Sequence, residues 1–147
     1  MRISSKGRYA LASIVYLANK YESGEYIAIF NISESLGISK IYLEQIFSAL
    51  KKSGIVNSIK GPQGGYQLSK SPEELSVLDV LSVTEAVLFE KAEPTVENKS
   101  PNLEAALHSI VFNPLDECIN KKLKDISIKD LLEESTRNKG DNYIFYI

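Results

Sequence analysis

The chain is expected to fold as a mainly α domain with one small β-hairpin. Three features of its 147 residues predict this. Apolar positions recur at helical spacing in three successive segments of the first half, a glycine-rich turn follows between two short β-prone runs, and helix-capping patterns punctuate the second half. The length suits one domain with a small appendage, since about 100 to 200 residues usually make one. With 44% hydrophobic and 24% charged residues, the composition is that of an ordinary globular protein. The longest apolar stretch, Tyr9 to Ala18, is interrupted by Ser13 and has about half the ~20 residues a membrane span needs, so it reads as a buried helix. The opening Met1 to Gly7 has no long apolar core and no small-residue cleavage site, which predicts a chain that stays in the cytoplasm. A single cysteine, Cys118, excludes an internal disulfide and fits a reducing compartment.

Each element has its own signal. Ser4 or Ser5 caps a first helix in which Tyr9, Leu11, Ala12, Val15 and Tyr16 or Ala18 recur at helical spacing, ending before Ser23-Gly24. A second helix fits Ile29 to Leu36 and is stopped by Gly37, where a left-handed turn favours glycine. Ser39 caps a third, whose Leu43, Ile46, Phe47 and Leu50 follow the i, i+3, i+4, i+7 pattern; its opposite face exposes Lys40, Ile41, Glu44, Gln45 and Ser48, and Gly54 closes it. Ile55 to Ile59 and Tyr66 to Leu68 read as two strands around Lys60-Gly61-Pro62-Gln63-Gly64-Gly65. Ser76 with Asp79 caps a helix running to about Ala86. Residues 89 to 102 are polar, hold Pro94 and Pro101, and read as a mobile loop. Asn113-Pro114 is expected to open a further helix with proline at its tolerated first position, and Ser127 with Asp130 repeats the capping pattern ahead of Leu131-Leu132. No internal repeat is present.

A short helix, a tight turn at Gly37 and a capped third helix form a helix-turn-helix, whose second helix enters the DNA major groove N-terminus first. Lys40, Ile41, Tyr42 and Gln45 then face base edges and phosphates. Gln45 can read adenine through two hydrogen bonds and Ile41 can touch a thymine methyl. The alternative for Tyr42 is packing on the helix shoulder. The hairpin supplies a wing: Gly64 and Gly65 let the backbone turn tightly against the sugar-phosphate chain, Gln63 lies at the tip, and Lys60 can enter or flank the minor groove. Charge distribution agrees. Residues 1 to 70 hold nine Lys or Arg against four Glu, a balance of +5, whereas residues 71 to 147 hold eight against fifteen acids, a balance of −7. A basic half suits a polyanion.

Three stretches carry a resemblance to a known family: Met1-Arg2-Ile3-Ser4-Ser5-Lys6-Gly7-Arg8-Tyr9-Ala10, then Gly37-Ile38-Ser39 with Tyr42-Leu43-Glu44-Gln45-Ile46-Phe47, then Lys60-Gly61-Pro62-Gln63-Gly64-Gly65-Tyr66. In this order they closely resemble the Rrf2 family of bacterial regulators. The resemblance implies a winged helix-turn-helix, a homodimer held by a long helix in the second half, and a roughly palindromic operator. By position it places Tyr42, Glu44 and Gln45 near bases, and Lys60 where many members carry an arginine in the minor groove. Ala28 departs from the usual capping Ser or Thr, at a cost of about 1 kcal/mol. Ile41 replaces a frequent small polar residue, which bears on the operator sequence. The expected divisions are a DNA-binding domain over 1–86, a connecting segment over 87–112, dimerisation and C-terminal helices over 113–135, and an apolar tail over 136–147.

Many members of the family bind an iron-sulfur cluster on three cysteines in the loop before the dimer helix. Residues 87 to 107 hold no cysteine, Cys118 lies beyond that loop, and the lone His108 has no cysteine near it, so the ligands for a cluster are lacking and no cofactor or metal is expected. His108 reads as a surface or helix-side residue. Cys118 reads as a small buried hydrophobe, with redox sensing as the alternative. One His, one Cys and no phosphate-binding glycine loop leave no catalytic set, so an enzyme is not expected.

The tail Asp141-Asn142-Tyr143-Ile144-Phe145-Tyr146-Ile147 is apolar after a segment, Ser135 to Gly140, that reads as flexible. It can be an edge strand folded back on the domain. It also resembles the tails of cluster-free family members that repress cysteine metabolism, which implies as partner the cysteine synthase O-acetylserine sulfhydrylase, contacted through Tyr146 and Ile147. Besides this sulfur-metabolism repressor, two other readings stay open: a cluster-free regulator of another response, and a protein interaction module without DNA binding, against which Lys6, Arg8, Lys40 and Lys60 argue.

Overall fold

A computed structural model describes residues 2–145, and the side chains of residues 2–138. Its elements run α1 (Ser5–Asn19), α2 (Ile29–Leu36), α3 (Lys40–Lys52), β1 (Val56–Ile59), β2 (Gly65–Leu68), α4 (Val77–Thr84), α5 (Pro101–Leu107), α6 (Asn113–Lys124) and α7 (Ile128–Phe145). The mainly α fold with one hairpin is the one the sequence predicts. Most boundaries agree because their signals are local. Ser4, Ser39 and Ser76 each accept a hydrogen bond from a backbone N–H three residues on, filling one of the donors a helix start leaves free. Gly37 ends α2 in the left-handed region at φ 67°, and its N–H bonds the Ser33 carbonyl. Ala28 makes no side-chain cap, as its chemistry requires.

The core forms where α1, α2, α3 and α4 meet the hairpin. Ile14, Ile32, Leu43, Ile46, Phe47, Leu50 and Val80 are completely covered. At roughly 25 cal/mol per Å², burying one such side chain stabilises the fold by about 1.5–3 kcal/mol before chain entropy is charged. β1 and β2 pair antiparallel, Val56 opposite Leu68 and Ile59 opposite Gly65. Ile27 extends the hairpin by a two-way bridge to Tyr66, both N–H···O distances being 2.8 Å. That approach leaves no room for a side chain at residue 65: a Cβ there would lie 2.4 Å from the Ile27 carbonyl.

The second half departs from the local reading in three places. Asn113-Pro114 does not open a helix. The helix begins at Pro101, which takes the tolerated first-turn position, and runs on through a π-turn at His108–Phe112 into α6. Pro114 has no N–H to give and its ring crowds the carbonyl four residues earlier, and the wider π-turn just before it absorbs that conflict. The loop before Pro101 lacks regular structure as expected, but it is fastened: Glu104, 5% exposed, accepts the N–H groups of Thr95 and Val96 at 3.0 and 2.7 Å. Those amides and the His108 ring, 3.0 Å away, hold its carboxyl below the usual range against the opposing effect of burial, the Val96 bond contributing most. Lastly, Ser135 to Gly140 is helical, not a linker. α7 starts on a complete capping box between Ser127 and Asp130, seats Ile128 in the core and lies along α1, so the turns that follow extend a helix already nucleated.

Candidate nucleic-acid interface

The exposed face of α3 follows from which residues its core face consumes. With Leu43, Ile46, Phe47 and Leu50 inside, Lys40, Ile41, Glu44, Gln45 and Ser48 are left in solvent, and Ile41 is 70% exposed. An exposed isoleucine among polar neighbours at a helix start is an apolar side chain without a partner among the described residues. Tyr42 is half-buried. Its ring meets Tyr9 of α1 edge to face with centroids 5.4 Å apart, so the shoulder packing weighed for it is present. Its phenol belongs to a cleft lined by Ser5, Tyr9, Gly37, Ile38 and Ser39.

That cleft places the first turn of α1, carrying Lys6 and Arg8, beside the first turn of α3. Arg8 is exposed, with its guanidinium 3.0 Å from the Ser5 hydroxyl, and Lys6 is half-buried. Tyr9 was not singled out from the sequence as a site residue, because its helical spacing reads as core; here it is 41% exposed and braces Tyr42. The hairpin projects Lys60 and Gln63 into solvent around a turn closed by the Gly64 N–H to the Gly61 carbonyl at 2.9 Å. A Cβ on Gly64 would lie 2.5 Å from the Ile59 carbonyl, so the tip needs the glycine. Tyr66 packs at a tilt on Phe47, with ring centroids 4.8 Å apart, which fixes the hairpin to the buried side of α3. Two helix starts and a hairpin tip, all with cations, are thus anchored to one core.

Over residues 3–134 the chain matches the model of a family described as Rrf2, iron-dependent transcriptional regulator. This chain belongs to the Rrf2 family. It is 36% identical over 136 residues to the HTH-type transcriptional regulator ORF2 of Azotobacter vinelandii, a match covering 92% of this chain and 81% of that one. It is 45% identical over 85 residues to the HTH-type transcriptional regulator IscR of Escherichia coli, a match covering 58% of this chain and about half of IscR, at 52%. Among solved structures it superposes on CymR, the global cysteine regulator of B. subtilis, with a TM-score of 0.72 and 27% identity over 91% of this chain and 98% of that one. The Rrf2 chain is therefore a DNA-binding transcription regulator with a helix-turn-helix, and not an enzyme.

The remaining sequence-based candidates separate. The residues do not fit a thiolate-held cluster: Cys118 sits on α6 beyond the loop, and the His108 ring is engaged by Glu104 at 3.0 Å and by Phe112 edge to face. Among the described residues no group of three His, Cys, Asp or Glu side chains is placed to hold a metal ion. Cys118 is exposed on this chain, which corrects the expectation of a small buried hydrophobe: it lies near Leu115, itself exposed, on the side of α6 away from Leu123, which packs on the core. Tyr146 and Ile147 lie outside the described residues. Among the described residues no helix is long and apolar enough to cross a membrane.

Proposed function

We propose that this Rrf2 chain is a cytoplasmic, cluster-free homodimeric repressor that controls cysteine or sulfur metabolism. The observation that carries the DNA contact is the shared platform of α1, α3 and the wing. Lys6, Arg8 and Lys40 serve as phosphate partners, Ile41, Tyr42, Glu44 and Gln45 stand in the major groove, and Lys60, Gln63 and Gly64 follow the backbone toward the minor groove. Dimerisation is supported by the exposed apolar side chains of the long helix: Leu103, Ile110, Val111 and Leu115 are 48–75% exposed, more than a monomer leaves bare in one stretch without a use. The likeness to CymR supports the cysteine assignment. The cysteine synthase as partner rests on the likeness of the tail, with Tyr146 and Ile147 as its contacts.

Mapping bound sites across the genome tests the reading. Inverted repeats ahead of sulfur-uptake and cysteine-synthesis genes are expected; sites confined to other genes leave the DNA reading intact and sink the sulfur assignment. Protein purified without oxygen should be colourless, and stoichiometric iron and sulfide in it would overturn the cluster-free assignment. Deleting Ile147 should abolish synthase binding in calorimetry while operator affinity is unchanged.

A further inference from the structure

Glu85 lies at the C-terminal end of α4, 81 residues from the start of α1, yet it is only 8% exposed and its carboxylate is directed at that start. Oε1 accepts two hydrogen bonds from Ser4, from the backbone N–H at 2.9 Å and from the hydroxyl at 2.5 Å. The same hydroxyl oxygen accepts the Gly7 N–H at 3.1 Å, and the Ser4 carbonyl accepts the Arg8 N–H at 3.0 Å. Ser4 is therefore both the cap of α1 and the residue grasped by Glu85. The carboxylate also sits where a helix start favours negative charge. Gly7 makes the grasp feasible: a Cβ there would lie 2.2 Å from Glu85 Oε1 and 3.0 Å from Ile3 Cγ2. Ile3, packed against the core, closes the arrangement from the other side.

We infer that Glu85 is a positioning residue for DNA binding, holding the first turn of α1 so that Lys6 and Arg8 meet the phosphates. The inference rests on the proposed phosphate contacts of those two cations. Glu85 is also the residue from which the chain leaves the winged helix toward the long helix, through the turn Val87–Phe89. A displacement of that segment therefore reaches the DNA-facing end of α1 through one carboxylate and one serine.

The test uses the full-length protein, an operator-length duplex and gel shifts over a range of salt. Glu85→Ala should weaken binding about tenfold or more and lower the slope of log K against log salt by up to about 4 for a dimer on its operator, the value for two lost phosphate contacts per subunit. Thermal melting and sedimentation should show a folded chain of unchanged oligomeric state. Glu85→Gln keeps an acceptor oxygen for Ser4 and should restore most of the affinity, which a requirement for bulk alone does not explain, since Glu85→Leu should not. Gly7→Ala should act by pushing Glu85 away, so its effect should vanish in the Glu85→Ala background, a coupling that independent sites do not show. If Glu85→Ala unfolds the chain, the Gly7→Ala and Glu85→Gln pair decides: a salt slope unchanged by Gly7→Ala overturns the inference. A double Lys6→Ala, Arg8→Ala variant with an unchanged slope overturns the phosphate reading itself. A lowered slope in that variant beside an unchanged slope in Glu85→Ala overturns the positioning role alone.

Discussion

Through Leu81 most large apolar side chains of the chain find cover, whereas along α5 and α6 most do not. Among the described residues, Ile128 is the one buried apolar side chain beyond Leu81. Val87, Leu103, Ile110, Val111 and Leu115 all stand in solvent, and the best-covered side chain of α5 is a carboxylate, Glu104. The front half covers most of its hydrophobic surface within one chain; the back half spends its buried positions on fastening a loop and leaves its apolar surface exposed, the face that the proposed dimer would cover. The difference teaches which part of the apolar surface the chain's own core accounts for and which part the proposed dimer would have to account for.

The largest expected effect breaks the back half's side of this contrast. Ile110→Glu places a charge at a position 75% exposed in one chain, so melting of the winged helix should hardly change. In a symmetric dimer the same substitution buries two unpaired carboxylates, each costing roughly several kcal/mol, and sedimentation should show monomer. An unchanged dimer would remove this helix from the interface. Phe47→Ala tests the front half: the side chain is fully covered and also carries the tilted Tyr66 contact, so chemical denaturation should show a loss of about 3–5 kcal/mol. The hairpin should loosen with it, visible as faster amide exchange at Tyr66.

A smaller effect is expected from Gln45→Ala, which leaves the core untouched and should cost about 1–3 kcal/mol at one base position of the operator. Uniform weakening over all sequences would place Gln45 on the backbone instead. The smallest concerns Glu104. Its carboxyl titrates below its ordinary 4.5 in the folded chain, so its contribution is complete above about that pH and is lost as pH falls through the lowered value. Wild-type stability should decline in that acid window more steeply than that of Glu104→Gln, and parallel curves would show that the loop is held by other means.

What the sequence made legible was what adjacent residues decide. Ser39 with its apolar repeat at Leu43, Ile46, Phe47 and Leu50 defines α3 and, by subtraction, its exposed face; Gly37 and the Gly61–Gly65 stretch define the turn and the wing. Contacts between distant residues left no trace. Nothing near Ser4 announces Glu85, and nothing near Thr95 announces Glu104. Pro114 misled because proline is tolerated at a helix start and reads as one, while a π-turn that lets it sit inside a longer helix has no sequence signature of its own. Ser135 to Gly140 misled through composition: polar residues with a glycine suggest a linker, but docking of Leu131 and Leu132 against the core carries the helix on.

That π-turn also sets the phase of the long helix. Leu103, Leu107, Val111, Leu115, Ile119 and Leu123 recur at every fourth residue, a spacing that overshoots the α-helical turn by about 40° each time and would wind the row about 200° around an ideal helix. One residue taken up by the wide turn at His108–Phe112 rotates everything after it back by about 100°. The row then sweeps only from the solvent side at Leu103 and Leu115 to the side of α6 where Leu123 meets the core. Removing one residue between His108 and Phe112 would close the turn to ordinary α-helix and leave Ile119 and Leu123 in phase with their own domain, whereas the full set of residues wound as ideal α-helix would swing both by about 100°, so the width of this turn determines which apolar side chains the chain covers and which it leaves bare.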